Sequence, residues 1–179
     1  MSGPRARGAC PSLAAPMRTG DGWLARLTFT EGLTGPQLAG LADAAARLGN
    51  GLMEVTSRGG LQLRGLAEDA PLAQAIAPLG LPLAEGLPVL TSPLAGRDPS
   101  ERADPRPLGA ALRRFALPLP PKAAVVVDGG GAVSLDRVAA DVRLLATGAG
   151  WRVGVGGDGA TARWLEAGDA AAQAVAVLS

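Results

Sequence analysis

Residues 51–66, GLMEVTSRGGLQLRGL, narrow the possible folds more than any other stretch of the chain. Two short runs alternate apolar and polar side chains, 51–57 and 61–66, and Arg58-Gly59-Gly60 joins them. Alternation with a period of two marks a strand with one face buried. A short glycine-containing link between two such runs marks a hairpin. The segment therefore predicts two adjacent antiparallel strands whose polar and apolar residues lie on opposite faces.

The flanking sequence extends that hairpin into a module. Residues 22–29 alternate Trp23, Ala25, Leu27 and Phe29 against Leu24, Arg26 and Thr28, a further strand. Residues 33–49, LTGPQLAGLADAAARLG, predict a helix with Thr34 as N-cap and Pro36 in the first turn. Leu38, Leu41, Ala42 and Ala45 mark its apolar face, and Gly49 ends it. A shorter helix is expected over 71–79. The order β-α-β-β-α is most of a ferredoxin-like unit. Residues 80–107 carry prolines at 82, 88, 93, 99, 105 and 107, and the domain connection is placed there. Beyond it the pattern predicts a helix over 107–115, strands over 122–128, 141–146, 151–156 and 162–165, and a last helix over 169–178. The fold class is α+β: a ferredoxin-like module over 9–80, then a mixed α/β half-domain over 88–179.

Composition excludes several kinds of chemistry. One cysteine and no histidine allow no internal disulfide, no cluster held by four thiolates, no histidine-ligated metal and no Ser-His-Asp triad. A formal net charge of +1 provides no global field toward nucleic acid or an anionic membrane, and neither is expected as a partner. The first residues lack the apolar core of a secretory signal, and no window approaches the ~18 apolar residues of a membrane span. The expected location is cytoplasmic. GVGGDG at 154–159 lacks the strand–turn–helix setting of a dinucleotide fingerprint, and Gly129-Gly130-Gly131 reads as a turn.

If the helices cover the apolar face of the first module, the other face collects Arg26, Thr56, Arg58, Gln62 and Arg64. Three guanidiniums with few acids suit a planar ligand bearing many carboxylates, because each guanidinium holds a carboxylate through two parallel hydrogen bonds. Periodicity alone does not separate this from an ordinary solvated sheet face, which the usual placement of surface charge favours.

Two long segments carry a resemblance. RGACPSLAAPMRTGDGWLARL and LADAAARLGNGLMEVTSRGGLQLRGL resemble the opening of the precorrin-3B synthase family, within the sulfite and nitrite reductase superfamily. TSRGGLQLRG is similar to the superfamily signature of Thr, Arg, and a Gln two residues before a basic residue and Gly. VLTSPLAGRDPSERADPRPL is similar to the segment opening the family's second domain, and LPPKAAVVVDGGG to its Leu-Pro-x-Lys-Phe motif. Lys122 falls at the motif lysine. Ala123 replaces the usual Phe, and Ala124 stands where sulfite reductases carry a second lysine, which argues against sulfite chemistry.

The resemblance implies a function. Arg58 and Lys122 would be the catalytic-site residues, and Arg26, Thr56, Gln62 and Arg64 would bind substrate. The substrate would be precorrin-3A, a polycarboxylate tetrapyrrole, hydroxylated with oxygen and closed to a lactone in aerobic cobalamin biosynthesis. Cys10 lies in a Gly-Ala-Cys-Pro opening shared with the family; one thiol is no cluster site, and it reads as a buried hydrophobe ahead of a small side chain near the ligand. Full-length relatives repeat the two-domain pattern, with the four cluster cysteines in the second copy. This chain is expected to hold no cofactor alone, the 4Fe-4S cluster and iron belonging to a missing C-terminal half. A second half-chain or a homodimer would complete it. The alternatives are a non-redox tetrapyrrole-binding module and an inactive truncated remnant.

Overall fold

A computed structural model describes residues 11–84, 87–114, 123–165 and 169–178. Lys122 and Cys10 lie outside the described residues. The chain divides into two compact units at Ala84 and Glu85. Among the described residues, no helix is long and apolar enough to cross a membrane.

The first unit runs β1 (Met17–Thr19), β2 (Gly22–Leu27), α1 (Gly35–Leu48), β3 (Met53–Val55), β4 (Leu61–Leu66) and α2 (Leu72–Ile76), the last continued by a 3-10 turn over Ala77–Leu79. Its four strands lie in the order β1-β2-β4-β3, each neighbouring pair antiparallel. The start of α1 follows from local chemistry. Thr34 Oγ1 accepts from the Gln37 amide at 3.4 Å while Gln37 Oε1 accepts from the Thr34 amide at 2.9 Å, so two donors that the helix leaves unpaired are satisfied reciprocally. Leu41, Ala44 and Ala45 of α1 and Leu72 and Ile76 of α2 pack against Ala25, Leu27, Leu61, Leu63 and Leu66. Trp23 and Phe29 flank that core, half-buried.

Four details differ from the sequence pattern. Leu38 and Ala42 are exposed, so the buried stripe of α1 is Leu41, Ala44 and Ala45, with Leu48 half-buried beside it. One turn before Leu41 stands Gln37, whose Nε2 donates to the Leu79 and Gly80 carbonyls at 3.3 and 3.1 Å and ties the helix to the end of the second one. β3 stops at Val55, because Thr56 already closes the hairpin loop: its amide donates to the Gly60 carbonyl at 2.8 Å and its hydroxyl accepts from the Gly60 amide at 3.0 Å. β1 is an additional strand, three residues long. Between Trp23 and Ala25 the register with β4 shifts: Trp23 faces Leu66 but Ala25 faces Leu63. The extra residue sits on β4, where Gly65 takes φ +64°, a left-handed value open to glycine.

The second unit holds β5 (Val89–Thr91), α3 (Arg106–Arg113), β6 (Val125–Asp128), β7 (Val142–Thr147), β8 (Gly150–Val155), β9 (Arg163–Trp164) and α4 (Ala170–Leu178). The sheet order is β5-β6-β7-β8-β9, parallel from β5 to β7 and antiparallel from β7 to β9. β5 falls inside the proline-rich stretch that the sequence pattern reads as connection. Val125 and Val127 of β6 face Leu112 of α3 and Ala174 of α4, whereas Val126 faces Leu135 and Ala140 of the β6–β7 connection. A strand enclosed on both sides reads as an unbroken apolar run, which is why VVV shows no alternation.

Candidate functional site

The polar face of the first unit is built from the middle of its sheet outward. Gln62 of β4 lies opposite Arg26 of β2 on one side and Glu54 of β3 on the other, so three polar side chains stand abreast across three strands. Facing residues of an antiparallel pair have Cβ atoms about 5 Å apart, within reach of one another. The Gln62 amide is oriented to match donors to acceptors: its oxygen accepts from Arg26 Nε at 3.1 Å and Nη2 at 2.5 Å, and its nitrogen donates to Glu54 Oε2 at 3.3 Å.

Arg64, two residues along β4, is clamped by two acids. Its Nε donates to Asp21 Oδ2 and its Nη2 to Asp21 Oδ1, both at 3.0 Å, while Nη1 donates to Glu54 Oε2 at 3.0 Å. Thr19 Oγ1 and Asn50 Nδ2 also donate to Asp21, at 2.8 and 3.2 Å. The Arg64 guanidinium, and after it the Thr19 hydroxyl, hold the Asp21 carboxyl well below the usual carboxylate range. In return Asp21 first and Glu54 second push Arg64 above its ordinary value. The bulge at Gly65 lies beside Arg64 in β4, and bulges re-aim the side chains next to them.

The expected collection of five side chains therefore divides. Arg26, Gln62 and Arg64 come together, as a network that also contains Glu54 and Asp21. The face is richer in acids than its sequence pattern suggests, and Arg64 spends its guanidinium on them. Arg26 forms no ion pair among the described residues and donates to an uncharged amide oxygen. Thr56 and Arg58 sit elsewhere, in the hairpin loop beyond the end of β3. There the Thr56 hydroxyl serves the turn, and Arg58 is exposed next to Gly59, which takes φ +72°.

Glu54 was legible from the hairpin, since it faces Gln62 across five intervening loop residues of known sense. Asp21 was not, because it reaches Arg64 across 43 positions of sequence through the β1–β2 turn.

The chemistry of the donors decides which groups the chain can hold. An iron–sulfur cluster of the kind the resemblance implies needs about four thiolates, and this chain has one cysteine and no histidine. Among the described residues no group of three or more His, Cys, Asp or Glu side chains could hold a metal ion. The residues present do not fit a cluster. What they offer is a guanidinium on a sheet face, backed by a fixed network of hydrogen bonds, and a second guanidinium at a hairpin tip.

Comparison with known proteins agrees with this architecture. Residues 15–74 match the nitrite/sulfite reductase ferredoxin-like half domain. The chain is 51% identical over 164 residues to precorrin-3B synthase from Sinorhizobium sp., covering 84% of this chain and 36% of that protein. It thus spans about a third of its relative's length. Among solved structures, the NirA protein of Mycobacterium tuberculosis matches with a TM-score of 0.60 at 24% identity, over 75% of this chain and 28% of that one. Dissimilatory sulfite reductase I matches with a TM-score of 0.51 at 20% identity, over 69% of this chain and 32% of that one. Both have the same kind of fold. The chain is similar to precorrin-3B synthase over most of its own length and carries a nitrite/sulfite reductase ferredoxin-like half domain over residues 15–74.

Proposed function

We propose that this chain is the tetrapyrrole-binding half of a precorrin-3B synthase-like oxidoreductase of aerobic cobalamin biosynthesis. The observation that carries the reading is the identity of 51% across most of this chain, together with a polar sheet face that presents Arg26 without an acidic partner among the described residues. The substrate is precorrin-3A, and the reaction is its oxygen-dependent ring hydroxylation with lactone formation. The residues of this chain bind and orient the macrocycle. Arg26 and Arg58 hold peripheral carboxylates through charge-assisted hydrogen bonds. Their contribution is positioning of the reacting carbon rather than proton transfer. The redox centre, with its iron and 4Fe-4S cluster, belongs to a second half. A second half-chain or a second copy of this chain supplies the remaining wall of the site.

A second reading has a specific observation in its favour. With one cysteine and no histidine, the chain binds a tetrapyrrole without redox chemistry of its own. One experiment tests both. Uroporphyrin, a porphyrin with eight carboxylates, is titrated against the purified chain and followed by quenching of its fluorescence. Saturable binding that weakens in Arg26→Ala and Arg58→Ala supports the tetrapyrrole site in either reading. Turnover of precorrin-3A only after addition of a cysteine-rich second half selects the synthase. Absence of saturable uroporphyrin binding by a folded chain overturns both.

A further inference from the structure

Of the two guanidiniums that β2 and β4 bring to one sheet face, Arg26 and Arg64, only one is arranged to receive an anion. We infer that Arg64 is a positioning residue: held by Asp21 and Glu54, it fixes Glu54 in place, Glu54 orients the Gln62 amide, and Gln62 presents the Arg26 guanidinium to a carboxylate ligand. The inference rests on the reading of this face as a carboxylate-binding site, and it assigns different work to residues that sequence alone places in one set.

Each link has its geometry. Arg64 forms a planar two-bond fork with Asp21, using Nε and Nη2, and the remaining nitrogen Nη1 goes to Glu54 at 3.0 Å. A guanidinium whose three nitrogens all have acidic acceptors has already balanced its charge. An incoming carboxylate would meet two negative charges beside it.

The Asp21 end is itself fixed. Thr19, Asn50 and the turn between β1 and β2 hold the carboxylate, and Thr19 Oγ1 also lies 2.8 Å from the Gly22 carbonyl. At the other end, Glu54 Oε2 accepts from both Arg64 Nη1 and the Gln62 nitrogen. A carboxylate accepts and does not donate, so it selects the nitrogen end of the Gln62 amide and turns the oxygen toward Arg26. That oxygen accepts from Arg26 Nε at 3.1 Å and Nη2 at 2.5 Å, the two donors of one edge. A guanidinium tethered through one edge keeps its remaining N–H groups for a ligand and loses less side-chain freedom on binding it. Substituting Gln62 by an acid would neutralise Arg26; an amide restrains it without removing its charge.

The chain of contacts is tested by NMR of the arginine Nε–Hε signals, with citrate, a tricarboxylate, as the probe. In the wild-type chain citrate is expected to shift the Arg26 signal saturably and to leave the Arg64 signal in place. In Glu54→Gln the group facing the Gln62 amide can donate as well as accept, so the orientation of Gln62 is no longer enforced. The citrate Kd read at Arg26 is then expected to rise about two- to tenfold, the scale of one orienting hydrogen bond, with Arg64 still silent because Asp21 remains. In Asp21→Asn the fork is broken, and the Arg64 signal should begin to respond to citrate. A wild-type Arg64 signal that moves with citrate, an Arg26 signal that does not, or an Arg26 Kd unchanged by Glu54→Gln each overturns the inference. Uroporphyrin titration of the same samples separates the two levels. Loss of uroporphyrin binding with the citrate pattern intact refutes the tetrapyrrole reading alone, whereas wild-type uroporphyrin affinity in Glu54→Gln and an unmoved Arg26 Kd refute the positioning network alone.

Discussion

The sheet of the first unit packs helices against one face and carries a charged network on the other, whereas β6 of the second unit is enclosed on both sides. Arginines show the contrast most sharply. In the first unit, Arg26 and Arg64 project from neighbouring central strands into a half-exposed network. In the second, Arg143 of β7 is only 2% exposed; its Nη2 donates to the Val138 carbonyl and Nη1 lies 3.8 Å from Asp136. That guanidinium pins the connection between β6 and β7 against the sheet. A strand residue in a covered layer must satisfy the fold, but one on an open face is available to a ligand. The difference places the candidate site in the first unit and gives most charges described in the second a structural duty.

The largest expected effect tests enclosure directly. Val126→Asp puts a carboxylate into a layer where Val126 is 1% exposed, against Leu135 and Ala140. An unpaired buried charge costs several kcal/mol, so the second unit is expected to lose its cooperative urea transition. Gln62→Glu, in the central strand of the other sheet, should cost less than about 1 kcal/mol, because the residue is half-exposed and faces Arg26. Similar circular-dichroism melting of the two variants would erase the distinction between the sheets. A smaller effect belongs to the core beneath the open face. Leu41 is fully buried, and Leu41→Ala should destabilise the first unit by about 2–5 kcal/mol in urea denaturation.

Much of this fold was legible because its signals are local. The Thr34 N-cap, the 61–66 strand and the glycine link depend on residues within a few positions of one another. What escaped was set by distance or by shortness. β1 and β5 have three residues each, too few to show a period. The alternation through 53–58 placed Arg58 on the sheet face, yet Thr56 engages Gly60 and the strand ends before Arg58 is reached. The candidate cations were readable, but their division was not: Arg64 is separated from Arg26 by its partnership with Asp21, which only the folded β1–β2 turn brings alongside.

Ligand binding sharpens the comparison at the next scale down. Arg58→Ala is expected to weaken uroporphyrin binding by roughly 1.5–3 kcal/mol, about ten- to a hundredfold, as is usual for hydrogen bonds to a charged group. Arg58→Lys should restore part of it, since an ammonium cannot hold a carboxylate through a planar fork. Arg47→Ala should change affinity little. Arg47 lies on α1 and pairs with Asp43 at 2.9 Å, away from the polar sheet face. Equal affinities of folded wild-type and Arg58→Ala chains would remove the hairpin tip from the site and leave the sheet face alone as its anchor.

The smallest effect is a titration. Asp21 has its carboxyl lowered from the ordinary 3.8 by the Arg64 guanidinium first and the Thr19 hydroxyl second. A carboxylate depressed in the folded state adds stability above its ordinary value, because the folded chain there holds the ionised form more tightly than the unfolded chain does. That contribution disappears as pH falls below the ordinary value and through the lower folded one. The window is therefore acidic, and the Asp21–Arg64 fork should be intact throughout the neutral range. NMR of the Asp21 carboxyl carbon should give a midpoint below 3.8 in the wild-type chain and one closer to that value in Arg64→Gln. If Asp21 titrates no lower than 3.8 in the wild-type chain, the fork does not persist in solution. Arg64 would then be free to compete with Arg26 for a carboxylate, and the open face would present two equivalent cations instead of one cation and its support.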